Sequence, residues 1–111
     1  MALTAKTQHI SREKTASSRA VEVLEALKKR GVDAVVTGSL AAGKFGPGSD
    51  VDFLVRSCPK HLRYALEAGV EDIMLDIPFD LSYRDELPAP VLEQMVKTIA
   101  TAEDLAIATR G

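Results

Sequence analysis

The sequence lacks three features that would each have assigned it to a particular class of protein. Its single cysteine, Cys58, excludes a disulfide framework within the chain and is typical of a reducing compartment. Its formal net charge of -2 provides no broad basic surface for a long DNA or RNA. No run approaches the roughly 20 apolar residues of a membrane span, and residues 1–12 lack the apolar stretch of a signal peptide. We expect a cytoplasmic protein that binds neither a membrane nor a long nucleic acid.

The composition is that of an ordinary soluble domain. Hydrophobic residues make up 46% and charged residues 27% of the 111 positions, which is enough apolar material for a core. We expect a polar, flexible leader over residues 1–12 and one domain over residues 13–111.

Apolar periodicity and helix breakers predict the order helix, strand, loop, strand, helix, strand, helix. This order indicates a small mixed α/β (α+β) layer, with a sheet of three or more strands flanked by helices. The expected elements are a helix from Glu13 to Arg30 with Gly31 after it, strands over 32–37, 51–56 and 77–83, a helix from Pro59 to Gly69, a last helix from Pro90 through Ile99, and a short helical tail from Thr101 to Gly111.

A pair of carboxylates one residue apart is the strongest chemical signal. Asp50 and Asp52 lie at the start of the second predicted strand, where alternation points both side chains to the same side. Two anions a few Å apart repel by about 1 kcal/mol in water and by more at a partly buried site. The pair therefore predicts a bound cation, and magnesium is favoured because it prefers oxygen ligands and keeps substrate phosphates in its shell.

A glycine-rich turn precedes this pair and partly fits a phosphate-binding P-loop. Residues Gly38 to Lys44 fill the first seven positions of the Walker A motif. The eighth position should be the Ser or Thr that holds magnesium, but it is Phe45, and the Gly-Pro-Gly of residues 46–48 would stop the helix that cradles the phosphates. These departures disfavour the P-loop interpretation.

The same glycines fit a second motif when the downstream acids are included. The motif reads Gly-Ser-x-Ala-x-Gly, five variable residues, then Ser-Asp-Val-Asp, and its positions are filled by Gly38, Ser39, Ala41, Gly43, Ser49, Asp50, Val51 and Asp52. This pattern resembles the nucleotidyltransferase signature of the DNA polymerase beta superfamily, and the short chain is similar to the minimal nucleotidyltransferase (MNT) branch. The resemblance covers residues 21–101 and implies a DNA polymerase beta-like nucleotidyltransferase fold.

The resemblance also implies a third acid, which lies on a strand between two hydrophobic residues. Asp80, between Phe79 and Leu81, matches that setting, and Asp76 is the alternative if the strand begins earlier. The implied catalytic acids and ligands of a two-magnesium site are then Asp50, Asp52 and Asp80, and Asp80 could accept the proton of an acceptor hydroxyl. The residues expected to bind the phosphates of ATP are Gly38, Ser39, Gly43, Lys44 and Ser49.

The activity implied by the resemblance is transfer of AMP from ATP to a hydroxyl, with pyrophosphate leaving. Characterised MNT proteins act as antitoxins that modify a tyrosine of a separately encoded HEPN toxin, so we expect a HEPN-domain partner. Many relatives carry basic residues where this chain has Leu40 and Ala42. Two alternatives therefore stay open, a module that neutralises its partner by binding alone and a transferase for a small-molecule hydroxyl. The sequence also leaves open homo-oligomer formation and the roles of Tyr64 and Tyr83.

Overall fold

Four strands form one mixed sheet in the computed structural model, which describes the backbone of residues 5–110 and the side chains of residues 12–107. The strands are β1 (Asp33–Thr37), β2 (Val51–Ser57), β3 (Phe79–Tyr83) and β4 (Ile99–Ala100), in the spatial order β3-β2-β1-β4. β1 is antiparallel to both β2 and β4, whereas β2 and β3 are parallel. The structure confirms the predicted fold class.

Helices cover one face of this sheet. The described helices are α1 (Ala5–Lys29), α2 (Gly38–Ala41), α3 (Leu66–Met74), α4 (Ala89–Met95) and α5 (Ala102–Arg110), with 3₁₀ helices at Lys60–Ala65 and Arg84–Glu86. α1 packs against β1, α3 and α5. The core lies between these helices and the alternate residues of the central strands that face them. Among the described residues, no helix is long and apolar enough to cross a membrane.

α1 is an amphipathic helix with a defined end. Its buried residues recur at helical spacing and are Ala16, Ala20, Val23, Leu24 and Leu27. Gly31 adopts a left-handed backbone with φ of 81°. The amide of Val32 donates to the carbonyl of Leu27 at 2.9 Å, and the amide of Gly31 donates to that of Lys28 at 3.0 Å. These two bonds form a Schellman motif, which confirms Gly31 as the residue that ends the helix.

The start of α1 differs from the sequence-based expectation. The helix begins at Ala5 rather than Glu13, so residues 5–12 belong to it, and residues 1–4 of the predicted leader lie outside the described residues. The chain contains no glycine or proline before Gly31. Because nothing in this stretch breaks a helix, the helical backbone extends toward the N terminus, past the first residue that the apolar periodicity marks.

The prediction that a helix from Pro59 ends at Gly69 was wrong. A 3₁₀ helix covers Lys60–Ala65, and α3 continues through Gly69 to Met74. Burial of Leu66, Val70 and Met74 at four-residue spacing stabilises α3 across the glycine. A Cβ on Gly69 would lie 3.6 Å from the Arg30 guanidinium, which is an ordinary van der Waals distance, so packing at this position does not require glycine.

The predicted extent of the last helix was also wrong. α4 ends at Met95, and Ile99 lies in β4, a strand that the sequence did not predict. Val91 and Val96 are 45% and 46% exposed, so the apolar stripe of this segment does not enter the core. The short strand forms because Ala100 pairs with Val36, which is a long-range contact.

We expect Gly31→Ala to lower the free energy of unfolding by about 1 kcal/mol, because alanine is strained at a positive φ. The nearest atom to an added Cβ there would be Cγ of Pro59 at 3.9 Å, so no steric clash contributes. Gly48→Ala is the control, since nothing lies within 4 Å of that position and its φ is not positive. Urea denaturation of both variants measures the difference, and equal losses would contradict this account.

Candidate active site

The predicted acids meet at one end of the sheet. Asp52 is the partner of Thr37 across β1 and β2, and it is also the partner of Asp80 across β2 and β3. Paired residues on neighbouring strands project from the same face. The structure therefore brings Asp52 and Asp80 together, with the exposed Asp50 immediately before β2.

Burial on the opposite face fixes which way these acids point. Val51, Phe53 and Val55 belong to the core under the helices. Phe53 contacts Phe79 of β3 edge to face, with ring centroids 6.3 Å apart. Because successive side chains of a strand alternate, Asp52 projects from the opposite face of the sheet, on which Leu54 is also buried.

Gly38 allows the chain to pass close to Asp52. Its φ of 72° lies in the left-handed region, which glycine adopts at no steric cost. A Cβ at this position would collide with a carboxylate oxygen of Asp52. The glycine of the motif is therefore needed both for its backbone conformation and for the closeness of the turn to the acid.

The carboxylates interact electrostatically. Burial raises the pKa of Asp52 above its ordinary value, and the negative charges of Asp80 and Asp50 raise it further. Among the described side chains, none of the ion pairs involves these three acids. The cluster thus carries negative charge that this part of the chain does not neutralise.

An oxygen-ligated divalent cation fits this donor set. Magnesium binds through one or two carboxylates together with substrate phosphates, and Asp50, Asp52 and Asp80 could supply the carboxylates. In the described part of the chain, no three acidic, histidine or cysteine side chains already converge as a complete metal site. The site accordingly has the charge and the oxygen donors for a cation that its substrate would help to hold.

The glycine-rich turn forms a short helix and a loop beside the acids. α2 starts at Gly38 and includes Ser39, and the first amides of a helix have no partner within it. After α2, the amide of Lys44 donates to the carbonyl of Ser39 at 2.8 Å, and Gly43 has a φ of 71°. The Lys44 side chain is exposed. The resemblance implies that these residues bind phosphate, which remains a prediction.

Two further residues of the turn have structural contacts. Phe45, where a P-loop has Ser or Thr, is 2% exposed and belongs to the core, and the guanidinium of Arg12 lies 5.6 Å from its ring centroid. The Ser49 hydroxyl accepts a hydrogen bond from the amide of Gly46 at 2.9 Å. The predicted role of Ser49 in phosphate binding thus coincides with a role in closing the turn.

The alternative third acid, Asp76, lies outside β3. Its carboxylate forms an ion pair with Arg19 at 2.8 Å, and this hydrogen bond is the main reason why its pKa is lowered. Arg19 also donates to the carbonyl of Met74 at 2.9 Å, which ties α1 to the end of α3. The geometry therefore favours Asp80 as the partner of Asp52.

Thr37 is a residue of the site that the sequence reasoning missed. It is 1% exposed, lies directly before Gly38 and pairs with Asp52. The signal that could have identified it is its position as the last residue of a strand at the glycine turn. Ile99 pairs with Thr37 from the other side, so one row across the sheet reads Asp80, Asp52, Thr37, Ile99.

A sequence comparison agrees with this arrangement of turn and acids. A family model described as the nucleotidyltransferase domain matches residues 18–103. This chain belongs to the nucleotidyltransferase domain family. The coarse activity that follows is nucleotidyl transfer from a nucleotide to an acceptor, and the acids and glycine turn of this nucleotidyltransferase lie within the matched range.

A solved structure described as a "putative minimal nucleotidyltransferase" is similar in fold. The TM-score is 0.64 at 24% sequence identity, and the match covers 79% of this chain and 93% of that chain. No curated protein matches the chain. The structural likeness confirms the MNT type of fold that the sequence predicted.

We expect Asp52→Asn to stabilise the metal-free fold at neutral pH. A raised folded-state pKa means that the stability contributed by Asp52 is present below its ordinary pKa of 3.8 and is lost as the pH rises through the raised value. Removing a charge about 5 Å from another relieves about 1 kcal/mol in water, or roughly 4 °C in Tm for a domain of this size.

Thermal melts of both proteins in EDTA at pH 3.5 and pH 7 measure this effect, and the gain should shrink at the lower pH. Asp76→Asn is the control of opposite sign. Its pKa is lowered by Arg19, so its stabilisation is present above its ordinary pKa and lost as the pH falls, and its removal should lower Tm at pH 7. A fall of Tm for Asp52→Asn at pH 7 would contradict the electrostatic account.

Gly38→Ala should impair metal binding beyond its effect on stability. Both Gly38→Ala and Gly43→Ala place alanine at a positive φ and should each cost about 1 kcal/mol. Only at Gly38 does the added Cβ displace the Asp52 carboxylate, because nothing lies within 4 Å at Gly43. Calorimetric titration should show weaker magnesium binding for Gly38→Ala than for Gly43→Ala. Equal affinities would show that the closeness of Gly38 to the Asp52 carboxylate does not matter for metal binding.

Proposed function

We propose that this nucleotidyltransferase is an MNT-type antitoxin that moves AMP from ATP to a tyrosine hydroxyl of a HEPN-domain partner in the cytoplasm. The observation that carries the proposal is the register that sets Asp80 beside Asp52, next to the turn at Gly38. An acid cluster beside a phosphate-binding turn supports transfer of a nucleotidyl group. The resemblance to MNT proteins supports AMP as the group and a HEPN tyrosine as its acceptor.

Backbone amides and side chains of the site would have different roles in this reaction. Backbone amides at Gly38 and Ser39 would orient the outgoing phosphates, and the exposed Lys44 would add positive charge. Asp80 is exposed on the edge strand β3, where an acceptor hydroxyl can reach it and lose its proton to it. Magnesium, held by Asp50, Asp52 and Asp80 when bound, supplies charge neutralisation at the α-phosphate and the leaving pyrophosphate.

Exposed apolar side chains support a protein as the acceptor. Ile99 lies in the same row as the acids and is 41% exposed. Val91 of α4 and Val96, which follows that helix, precede β4 along the chain and are also exposed. Apolar side chains beside a reactive site favour contact with a macromolecule over contact with a small polar acceptor.

One observation favours stoichiometric binding without catalysis. Lys44 is the single basic residue between positions 38 and 55, and Leu40 is buried in the core. The turn therefore holds little positive charge for a triphosphate. In this second candidate function, the same surface neutralises the partner and nucleotide binds weakly.

Labelled ATP and magnesium, incubated with the chain and the adjacent gene product, distinguish these functions. We expect the partner to gain the mass of AMP, and Asp52→Asn to lower the transfer rate by about 100-fold or more while binding is kept. Asp76→Asn, which removes a carboxylate outside the cluster, should transfer at nearly the original rate. Complex formation without transfer by the unmutated chain would overturn the enzymatic proposal in favour of the binding module.

A further inference from the structure

The outer edge of β3 pairs with no other strand in the described part of the chain. On its inner side, the amide of Val51 donates to the carbonyl of Pro78 at 2.9 Å, so that carbonyl points toward β2. Backbone groups of successive residues point to opposite edges of a strand. The N–H and C=O groups of Phe79 and Leu81 therefore point to the open edge, whereas those of Asp80 point to β2.

A groove of about 250 Å³, the edge groove, lies along this strand. Phe79, Leu81 and Tyr83 line it and also pack against the core, so the edge groove lies on the helix-covered face of β3. Tyr64, from the 3₁₀ helix before α3, lines it as well and is 87% exposed. An aromatic ring left in water forgoes the stabilisation that burial would bring. The edge groove thus offers apolar surface to a chain that adds to β3.

The charge at the edge groove favours a basic occupant. Arg63 lines the groove, but it already forms ion pairs with Asp85 at 3.0 Å and with Glu86 at 3.5 Å. Glu67 and Asp80 also line it, and among the described side chains none of the ion pairs involves either of them. A lysine or arginine of an added chain would find unpaired carboxylates there.

A strand added to this edge would extend the row of acids by one position. Asp52 and Asp80 are paired across β2 and β3, and paired residues project from the same face. On an antiparallel added strand, the residue opposite Asp80 would exchange no hydrogen bonds with it, because the backbone of Asp80 points to β2. At such positions the Cα atoms are only about 4.5 Å apart, and the side chains lie closest. The residues before and after it would project into the edge groove.

We propose that the acceptor tyrosine lies on an extended segment of the acceptor protein that pairs antiparallel with the open edge of β3; this inference rests on the proposed AMP transfer to a tyrosine. The tyrosine stands opposite Asp80, an apolar residue on each side of it fills the edge groove, and basic residues flank these three. A helix uses its backbone groups internally and cannot form this pairing. The acceptor tyrosine is therefore modified only when its segment is extended.

This pairing places the phenol for the transfer step. The phenol oxygen bonds to the α-phosphorus of ATP as the bond from that phosphorus to the bridging oxygen breaks. Pyrophosphate leaves, and the phenol proton passes to the Asp80 carboxylate. The edge groove holds only the neighbours of the tyrosine, since it lies on the other face of β3.

A peptide with a tyrosine between isoleucine and valine, and two lysines at each end, tests the pairing with the full chain, ATP and magnesium. The isoleucine and valine amides would bond to β3, so N-methylation of either should lower kcat/KM for AMP transfer by about tenfold or more. N-methylation of the tyrosine is the matched control, because its N–H points away from β3, and it should change kcat/KM by less than about twofold. Equal losses in all three peptides would overturn the proposal.

The adjacent gene product in a parallel incubation separates failure of this inference from failure of the proposed function. If that partner gains AMP and the unmethylated peptide gains none, the pairing with β3 is wrong and nucleotidyl transfer stands. If neither gains AMP and no pyrophosphate appears, the proposed function itself is overturned, and this inference with it.

Amide hydrogen exchange gives a readout that does not depend on turnover. In the free chain, the amides of Phe79 and Leu81 should exchange faster than that of Asp80, which points to β2. An excess of the peptide with phenylalanine in place of tyrosine should slow exchange at Phe79 and Leu81 and leave Asp80 unchanged. No slowing would overturn the proposal. Slow exchange that depends on protein concentration without peptide would also overturn it, because a second copy would then occupy the edge.

Tyr64→Ala tests the edge groove itself. The variant should raise KM for the peptide by about fivefold and leave kcat unchanged, because the ring contacts the neighbours of the tyrosine and not the acids. Ile107→Ala is the control, since Ile107 is also exposed, at 60%, and lies in α5 outside the edge groove. The same KM for both variants would contradict the assignment of the groove to the acceptor segment.

Discussion

The register between β2 and its neighbours is the constraint on which the rest of the structure depends. Val51, Phe53 and Val55 are buried beneath the helices, and this burial fixes the face from which Asp52 projects. A shift of one residue would move Asp52 into the core beneath the helices, in the place of an apolar residue. Because an unpaired carboxylate is costly to bury, the same alternation that builds the core also builds the acid cluster.

The core tolerates the repulsion that this cluster creates. Complete burial of a valine or phenylalanine side chain contributes about 1.5–3 kcal/mol, and Phe53 is also held by its contact with Phe79. Repulsion between two neighbouring carboxylates in water is nearer about 1 kcal/mol. Burial of apolar side chains on one face of the two strands therefore outweighs the repulsion between carboxylates on the other face. The raised pKa of Asp52 shows that part of this repulsion remains in the folded state.

The sequence predicted the parts of the fold and site that depend on local pattern. Short β-branched or alternating runs predicted the three longer strands, and Gly31 marked the end of α1. The resemblance implied Asp80 as a third acid, and pairing of β2 with β3 sets it beside Asp52. β4 could not be predicted, because two residues are too few to show an alternating pattern. Ile99 and Ala100 adopt an extended conformation because they pair with β1. The end of α3 was misjudged because packing outweighed the weak helix propensity of Gly69.

Few positions of the glycine-rich turn can supply positive charge. Leu40 is buried in the core cluster, and a lysine or arginine there would have to leave its charge without water. Phe45 is likewise buried, so the turn is anchored by apolar contacts at two points that flank Lys44. The exposed Lys44 thus remains the basic side chain of this turn. In the proposed function, neutralisation of a triphosphate at this turn would therefore depend on backbone amides, a bound cation or groups from a partner.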